Sequence, residues 1–570
     1  MVHTGSIIGA GLARGSSNML PRLPHLFKGF DNSKDRRDFV SMGAAAGVAA
    51  AFNAPIGGIL FSLEEVSSFW SPSLTWQSFI CAIFAAYTVN FFMSHNGGFN
   101  DEGLVLFSSS PSEEEGATYV WWEISVFIGI GVLGGFVGSA YVWINQHITT
   151  KRQTYFKGKK PGWRVLEAVI TVSCIMSILY FLPGLFPCVE EPKFDDASHH
   201  KGFHGLHPVQ YNCDDGYYNQ MATLTLTPQE TAILQLQSRS TAEFFSITVL
   251  AAFTVIYFLC AVVAYGLAVP AGLFIPSMMI GASLGRLIGE SMHKLAPDTV
   301  EPGLYALVGA TAVLGGITRM TISLTIIMVE VSNDINFLLP IMLAVAVSKL
   351  VGDFFTPSLY DVHMWLACIP YLDSDPPKVF DALSADSIMN RDVKMLSIEE
   401  KMGVIEDMLE ATHHNAFPVV ETGVSGLNRY FAGMITRSQL DQLVENSKIT
   451  SKYASALEDK EKTIDLSVSM NPSPFIVQSQ LSLRRVLRLF RGMGLRHLCV
   501  VDARQRVVGI ISRKDLINAP KKINRALNDG KFVRSARVAM NRMARSTRIK
   551  GANSQGPSKL KRSNSFVGIM

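Results

Sequence analysis

The chain has 570 residues, 48% of them hydrophobic and only 17% charged, with a formal net charge of +4. At a mean hydropathy of +0.23 it is too apolar for an ordinary soluble protein of this length. The small net charge averages unlike regions and identifies no partner by itself.

Residues 1–370 hold the long apolar runs, and residues 371–570 hold most of the charge. This predicts a membrane domain followed by a soluble domain and a tail. In chain order the membrane candidates are roughly 1–14, 37–52, 55–66, 74–93, 119–147, 162–186, 245–266, 273–294, 303–317, 320–332, 336–352 and 358–368. Several fall well short of the ~20 residues that cross a bilayer. They are also rich in Gly, Ala and Pro. Short helices packed through small residues, with ends inside the protein, are typical of transporter cores. The first residues show no cleavable signal with a basic n-region.

Two connecting segments orient the domain. Residues 148–164 carry Lys151, Arg152, Lys157, Lys159, Lys160 and Arg164 with no acid, so the positive-inside rule predicts a cytosolic loop. Residues 187–240 carry Glu190, Glu191, Asp195, Asp196, Asp214 and Asp215, and are expected as a long loop on the other side. Cys188 and Cys213 share that loop and can pair if it faces an oxidising lumen. Cys81, Cys174 and Cys260 lie in apolar runs and read as inert packing residues.

The membrane domain contains an internal repeat. GAAAGVAAAFNAPIGGILFSLEEV (43–66) aligns without a gap on GATAVLGGITRMTISLTIIMVEVS (309–332), placing Gly43 on Gly309, Ser62 on Met328 and Glu64 on Glu330. HTGSIIG (3–9) aligns on MIGASLG (279–285), placing Gly5 on Gly281 and Gly9 on Gly285. Two pairs in the same order predict two structural repeats, although Gly/Ala-rich helices also resemble one another by composition. In the second copy VPAGLFIP (269–276) opens a helix; its first-copy equivalent falls before Met1, which predicts a chain starting just inside a helix.

The soluble part repeats too. FPVVE (417–421) with GMITRSQL (433–440) matches LCVVD (498–502) with GIISRKDL (509–516). Each copy reads helix, strand, turn, strand, helix, and the two should pack as a pseudo-dimeric α/β module. The boundaries are a linker at 371–382, copy one at 383–445, a linker at 446–463, copy two at 464–520 and a basic, partly disordered tail at 521–570. The tail is either a solvated cytosolic extension or is attracted to an anionic leaflet.

Three features carry chemistry. GLFIP (272–276) starts a helix in an apolar region, and a helix N-terminus offers unpaired N–H groups and a positive dipole end. Such an anion site needs no Lys or Arg, which would hold a permeating anion too tightly. The same motif also suits an ordinary Pro-initiated helix. Tyr360, in TPSLYDVH, can donate its hydroxyl to an anion or sit in an interfacial belt. Glu64 and Glu65 are adjacent acids at the end of an apolar helix, and an intramembrane acid is a functional candidate. Helical neighbours point ~100° apart, so the two cannot share an environment. Glu64 has a repeat partner and suits a shared structural job such as capping or a buried ion pair. Glu65 aligns with Val331 and suits an asymmetric job such as proton transfer.

AGLFIP, the LFSLEEV helix, SLYD and the paired soluble repeats, in that order, resemble the CLC family of chloride channels and chloride/proton exchangers. RDFVSMGAAAGVAAAF, LEEVSSFW, YNQMATL, RMTISL, MNPSPF and MGLRHL resemble its late-endosomal/lysosomal branch. The resemblance covers about residues 1–520. It implies an all-α multi-helix membrane domain with inverted repeats and broken helices, followed by an α/β tandem CBS-domain pair on the cytosolic side. It implies a central chloride held by backbone N–H groups around Gly272, Leu273, Phe274 and Ile275 and by the Tyr360 hydroxyl, and Glu65 as the inner proton-transfer glutamate. It also implies a homodimer with one pathway per subunit. In channel-type members the Glu65 position is commonly apolar. For the CBS pair the resemblance implies one adenine-nucleotide site, such as for ATP, with His414 and Asn415 at the base and Asp515 on the ribose; Gln439 stands at the equivalent place in the first copy. A dimerisation module without ligand is the alternative. The family's GSGIP-type loop and its GKEGP-type loop with the gating glutamate precede MVHTG, so this chain is expected to lack both.

The sequence therefore predicts a proton-coupled chloride antiporter of an acidic organelle, with a passive channel or a non-transporting truncated product as alternatives. No nucleophile–base set, metal-ligand spacing or phosphate-binding loop suggests an enzyme. No metal, required cofactor or nucleic-acid partner is expected.

Overall fold

The computed structural model describes residues 1–14, 33–93, 119–190, 208–238, 241, 244–297, 299–332, 334–369, 371–372, 378–381, 383–422, 429–450, 461 and 463–519. Two compact units divide the chain, Met1–Ile369 and Pro370–Met570.

The first unit is helical. Its helices are α1 (Val2–Arg14), α2 (Ser33–Phe52), α3 (Pro55–Phe61), α4 (Pro72–Met93), α5 (Glu123–Phe156), α6 (Gly162–Phe181), α7 (Gln220–Thr225), α8 (Gln229–Gln237), α9 (Ile247–Ala264), α10 (Phe274–His293), α11 (Pro302–Thr318), α12 (Ile322–Ser332), α13 (Leu338–Phe355) and α14 (Leu359–Leu366). Among the described residues, five helical stretches are long and apolar enough to cross a membrane. Others are not: α3 has 7 residues and α12 has 11, about 10 and 16 Å at 1.5 Å per residue. These broken helices end within the domain.

Small residues let the paired helices touch backbone to backbone. A Cβ on Gly5 would lie 2.1 Å from the Gly43 carbonyl oxygen, and one on Gly281 would lie 2.4 Å from that of Gly309. Any side chain there would push α1 off α2, or α10 off α11. These are the glycines that the repeat alignment superposes, so the two copies share one packing contact.

Two expected loops are more structured than their charge suggested. The basic segment 148–164 is helical through Phe156, because its Lys, Arg and Gln residues favour continuing α5 until Gly158 turns the chain. The acidic segment contains a Cys188–Cys213 disulfide, a two-residue antiparallel pairing of β1 (Val189–Glu190) with β2 (Tyr217–Tyr218), and α7 and α8. Its acidic ends hid the apolar spacing of Met221, Ala222 and Leu224, and of Ala232, Ile233 and Leu236, all buried. The Asn219 side chain caps α7 by accepting the Ala222 N–H. Beyond α8, buried Arg286 of α10 donates to the carbonyls of Leu236 and Ser238 at 3.1 and 2.6 Å. Its charge is balanced by Glu290 at 2.8 Å. Glu191, Asp195 and Asp196 lie outside the described residues, as does the tail 521–570. Cys81 and Cys260 are half-buried, but Cys174 is exposed on α6, so it does not pack within the chain.

The second unit repeats one α/β pattern. β3 (Leu396–Ser397) runs parallel to β5 (Ala416–Thr422), which pairs antiparallel with β6 (Arg429–Thr436). β8 (Ile476–Gln478) runs parallel to β9 (His497–Val501), which pairs antiparallel with β10 (Val507–Ser512). β4 (Glu399–Lys401) pairs with β7 (Thr463–Asp465) and joins the copies. The parallel strands are connected by α15 (Met402–Ala411) in one copy and by α17 (Leu483–Gly492) in the other. α16 (Arg437–Thr450) and the helix at 513–519 follow the last strands. In α17 Leu483, Val486, Leu487 and Phe490 recur at three- and four-residue spacing and are buried, while Arg485 and Arg488 between them are exposed. Arg437 donates to the Thr412 carbonyl at 2.6 Å and Arg513 to the Leu495 carbonyl at 2.7 Å. Arg437 thereby closes the end of α15, and Arg513 ties down the turn that follows α17.

Candidate functional site

The site begins where α3 ends. Pro55 opens α3, and the chain then widens into a π-helical turn at Ser62–Val66, in which the Ser67 N–H donates to the Ser62 carbonyl five residues back at 2.9 Å. Single π turns are rare and recur at functional sites. This one carries both acids and sends them different ways.

Glu64 reaches α12. Its Oε1 accepts the Thr321 N–H at 2.8 Å and the Thr321 hydroxyl at 2.7 Å; its Oε2 accepts the Ser323 N–H at 3.0 Å and the Ser323 hydroxyl at 2.6 Å. Glu330, at the other end of α12, reaches back to α3. Its Oε1 accepts the Ile56 N–H at 3.1 Å and its Oε2 the Gly57 N–H at 2.7 Å. In the repeat alignment Ile56 falls on Ile322 and Gly57 on Ser323. Each carboxylate thus caps the first turn of the other copy's helix, where orphan N–H groups and a positive dipole end favour an anion. Capping is one of the two shared jobs that the alignment suggested for Glu64.

Glu65 accepts no hydrogen bond from the described residues. It is half-buried, within electrostatic reach of Glu64, Asp361 and Lys349. Tyr360, the second residue of α14, lies within the same reach of Glu65 and of Tyr265. Ser358 fixes the start of α14: its hydroxyl accepts the Asp361 N–H at 3.1 Å and donates to the Asp361 carboxylate at 2.8 Å.

GLFIP starts α10 in the manner an anion site requires. Leu273 occupies the cap position with no capping side chain. The N–H groups of Phe274 and Ile275 find no acceptor among the described residues. Pro276 has no N–H to leave unpaired. Gly272 is exposed and Leu273 buried. The Phe274 ring lies 4.9 Å from Phe52 at the end of α2, so the two repeats meet here. Phe274, Ile275 and Tyr360 pack against one buried core.

Sequence reading missed the residues that hold Tyr265. Asn145 of α5 donates to the Val262 and Tyr265 carbonyls, both at 2.9 Å, and Arg152 donates to the Val263 carbonyl at 2.8 Å. These bonds satisfy the orphan carbonyls at the end of α9. His363 of α14 pairs with Asn145 Oδ1 at 2.8 Å, and its ring stands edge-on to Tyr265 at 5.0 Å. The available signal was Gly266, whose φ of +91° marks a helix stop.

In the second unit Asp515 accepts the Ser512 N–H and hydroxyl at 3.0 and 2.6 Å. Gln439 does the same for Thr436 at 2.9 and 2.7 Å. The repeat therefore places a carboxylate in one copy where the other has an amide. His414 and Asn415 are exposed. The His414 ring stands edge-on to Phe417 at 6.3 Å. His497, the first residue of β9, lies within electrostatic reach of His414 in the other copy. Burial holds its imidazole below the usual range, with Arg496, His414 and Arg513 adding to the effect.

Residues 1–353 match the family described as voltage gated chloride channel, and residues 464–522 match the CBS domain family. The human H(+)/Cl(-) exchange transporter 7 is 39% identical, over 90% of this chain and 67% of that protein. Chloride channel protein C of Dictyostelium discoideum is 35% identical, over 90% of this chain and 72% of its own length. Chloride channel protein CLC-d of Arabidopsis thaliana is 35% identical, over 91% of this chain and 70% of that one. A solved eukaryotic CLC transporter has the same fold, with a TM-score of 0.52 and 20% identity, covering 90% of this chain and 84% of that one.

Proposed function

Since the chain belongs to the voltage-gated chloride channel family, we propose that it is a proton-coupled chloride antiporter. The observation that carries this reading is the separation of Glu65 from Glu64. One carboxylate is committed to four hydrogen bonds. The other accepts no hydrogen bond from the described residues and lies within electrostatic reach of Tyr360, which leaves it open to carry a proton. Chloride is held by N–H groups around Leu273 and Phe274 and by the Tyr360 hydroxyl; with no cationic side chain as a ligand, it can leave. The exchanger name of the human relative supports coupling to protons.

The purified full chain in liposomes should move protons uphill when a chloride gradient is imposed. Chloride flux without proton movement would establish the channel reading instead, and absence of both fluxes would sink transport. Light scattering of the detergent-solubilised protein, with the bound detergent subtracted, should give twice 62.5 kDa, since the protein is proposed to work as a homodimer. The membrane is proposed to be lysosomal or late endosomal, with the second unit in the cytosol.

That unit is proposed to be two CBS copies that take one adenine nucleotide, with His414 and Asn415 at the base and Asp515 on the ribose hydroxyls. Titrating ATP into the full chain tests this. Asp515→Ala should weaken binding roughly tenfold or more, the scale of a lost charged hydrogen bond. Gln439→Ala should change it little. Equal affinities for both variants would rule the site out.

A further inference from the structure

The π turn is the less favourable helix geometry, so something must hold it open. Both of its ends are tied to a single residue of α2. The Ser62 hydroxyl donates to the Ser41 carbonyl at 2.7 Å, and the Ser67 hydroxyl donates to the Ser41 hydroxyl at 2.7 Å. The Ser41 hydroxyl spends its own proton on the Arg37 carbonyl at 3.2 Å. A hydroxyl has one donor and two acceptor sites, so this one serves both neighbours at once. Ser41 is buried, with 2% exposure. Returning the turn to α geometry would shift Ser67 relative to Ser62 and break at least one tie.

The clamp exists only in the copy that carries Glu65. In the repeat alignment Ser41 falls on Leu307 and Ser62 on Met328, neither of which can form these bonds. There α12 remains α-helical through Ser332, with Glu330 capping as before. The capping job therefore does not require a π turn. What the π turn adds is the direction of the residue after the capping acid.

We propose that Ser41, gripping Ser62 and Ser67, is a positioning residue that holds the π turn open and so aims Glu65 toward Tyr360. This rests on the antiporter reading and adds to it the device that keeps the proton carrier in place. Removing the Ser41 hydroxyl frees the end of the turn next to Glu65. The Ser62 tie survives, because its acceptor is a backbone carbonyl. Ser41→Ala and Ser67→Ala should therefore uncouple the protein, and Ser62→Ala should do so less.

The readout is the ratio of proton to chloride flux in liposomes containing the full chain. Misplacing a reacting group by about an ångström can cost ~100-fold. A fall in the ratio of roughly tenfold is expected for Ser67→Ala, with chloride flux retained. Ser67→Thr, which keeps the hydroxyl, should restore the ratio. Ser41→Ala provides a second route to the same loss, should Ser67→Ala fail to fold. A wild-type ratio in both alanine variants overturns the proposal. So does a parallel fall of both fluxes, which would mean general structural damage. Glu65→Gln, measured alongside, separates the two levels: if it leaves proton flux intact, the role of Glu65 falls rather than that of the clamp.

Discussion

Glu65→Gln should abolish proton movement while chloride continues to cross the membrane. The amide has nearly the shape of the carboxylate but takes up no proton at accessible pH, so the relay loses its carrier. General acid–base groups are worth about 100- to 10,000-fold, and a fall of at least ~100-fold in proton flux is expected. The proposed chloride ligands are elsewhere, on the first turn of α10 and on Tyr360. Among the described residues Glu65 makes no hydrogen bond that the amide would break. Proton and chloride fluxes recorded together in liposomes check this. Undiminished uphill proton transport by Glu65→Gln would falsify the assignment.

The neighbouring acid should behave in the opposite way. Glu64→Ala should leave the Thr321 and Ser323 N–H groups without an acceptor in a half-buried site, and it also removes two hydroxyl bonds. At ~1.5–3 kcal/mol per hydrogen bond to a charged group, the loss is about 3–5 kcal/mol after partial rehydration. Glu330→Ala strands two N–H groups, those of Ile56 and Gly57, and should cost less. Both should lower the thermal stability of the detergent-solubilised protein, in that order. Their effects should nearly add, because the caps lie at opposite ends of α3 and share no partner. Glu64→Gln should recover part of the loss, since its carbonyl still accepts. A Glu64→Ala protein as stable as the parent, but inactive in proton transport, would reverse the roles of the two acids.

Much of this could be read from the chain because it depends on residue type and spacing. The Gly and Ala pattern of 43–52 and 309–318 is what close helix packing demands, so the repeat, the broken helices and the partner of Glu64 followed from alignment. GLFIP was legible for the same reason: Gly, Pro and apolar neighbours state a helix start without a cation. The π turn was not, since an i+5 bond leaves no mark on SLEEV; its cause, Ser41, lies on another helix. The Asn145, His363 and Tyr265 cluster joins three helices far apart in sequence, and no local pattern announces it. α7 and α8 were overlooked because the acids at the ends of their segment outweighed its apolar spacing.

The exchanged caps of Glu64 and Glu330 also impose a schedule on biosynthesis. Donors and acceptors lie 257 to 274 residues apart. At ~5–20 residues per second, α3 is made on the order of ten seconds to a minute before Glu330 exists to meet it. Throughout that interval the first turn of α3 has no acceptor from its own chain, and the Glu64 charge has no helix to neutralise. The α1–α2 contact at Gly5 and Gly43 can form as the first copy emerges, but the α3 junction is completed only when the second copy arrives.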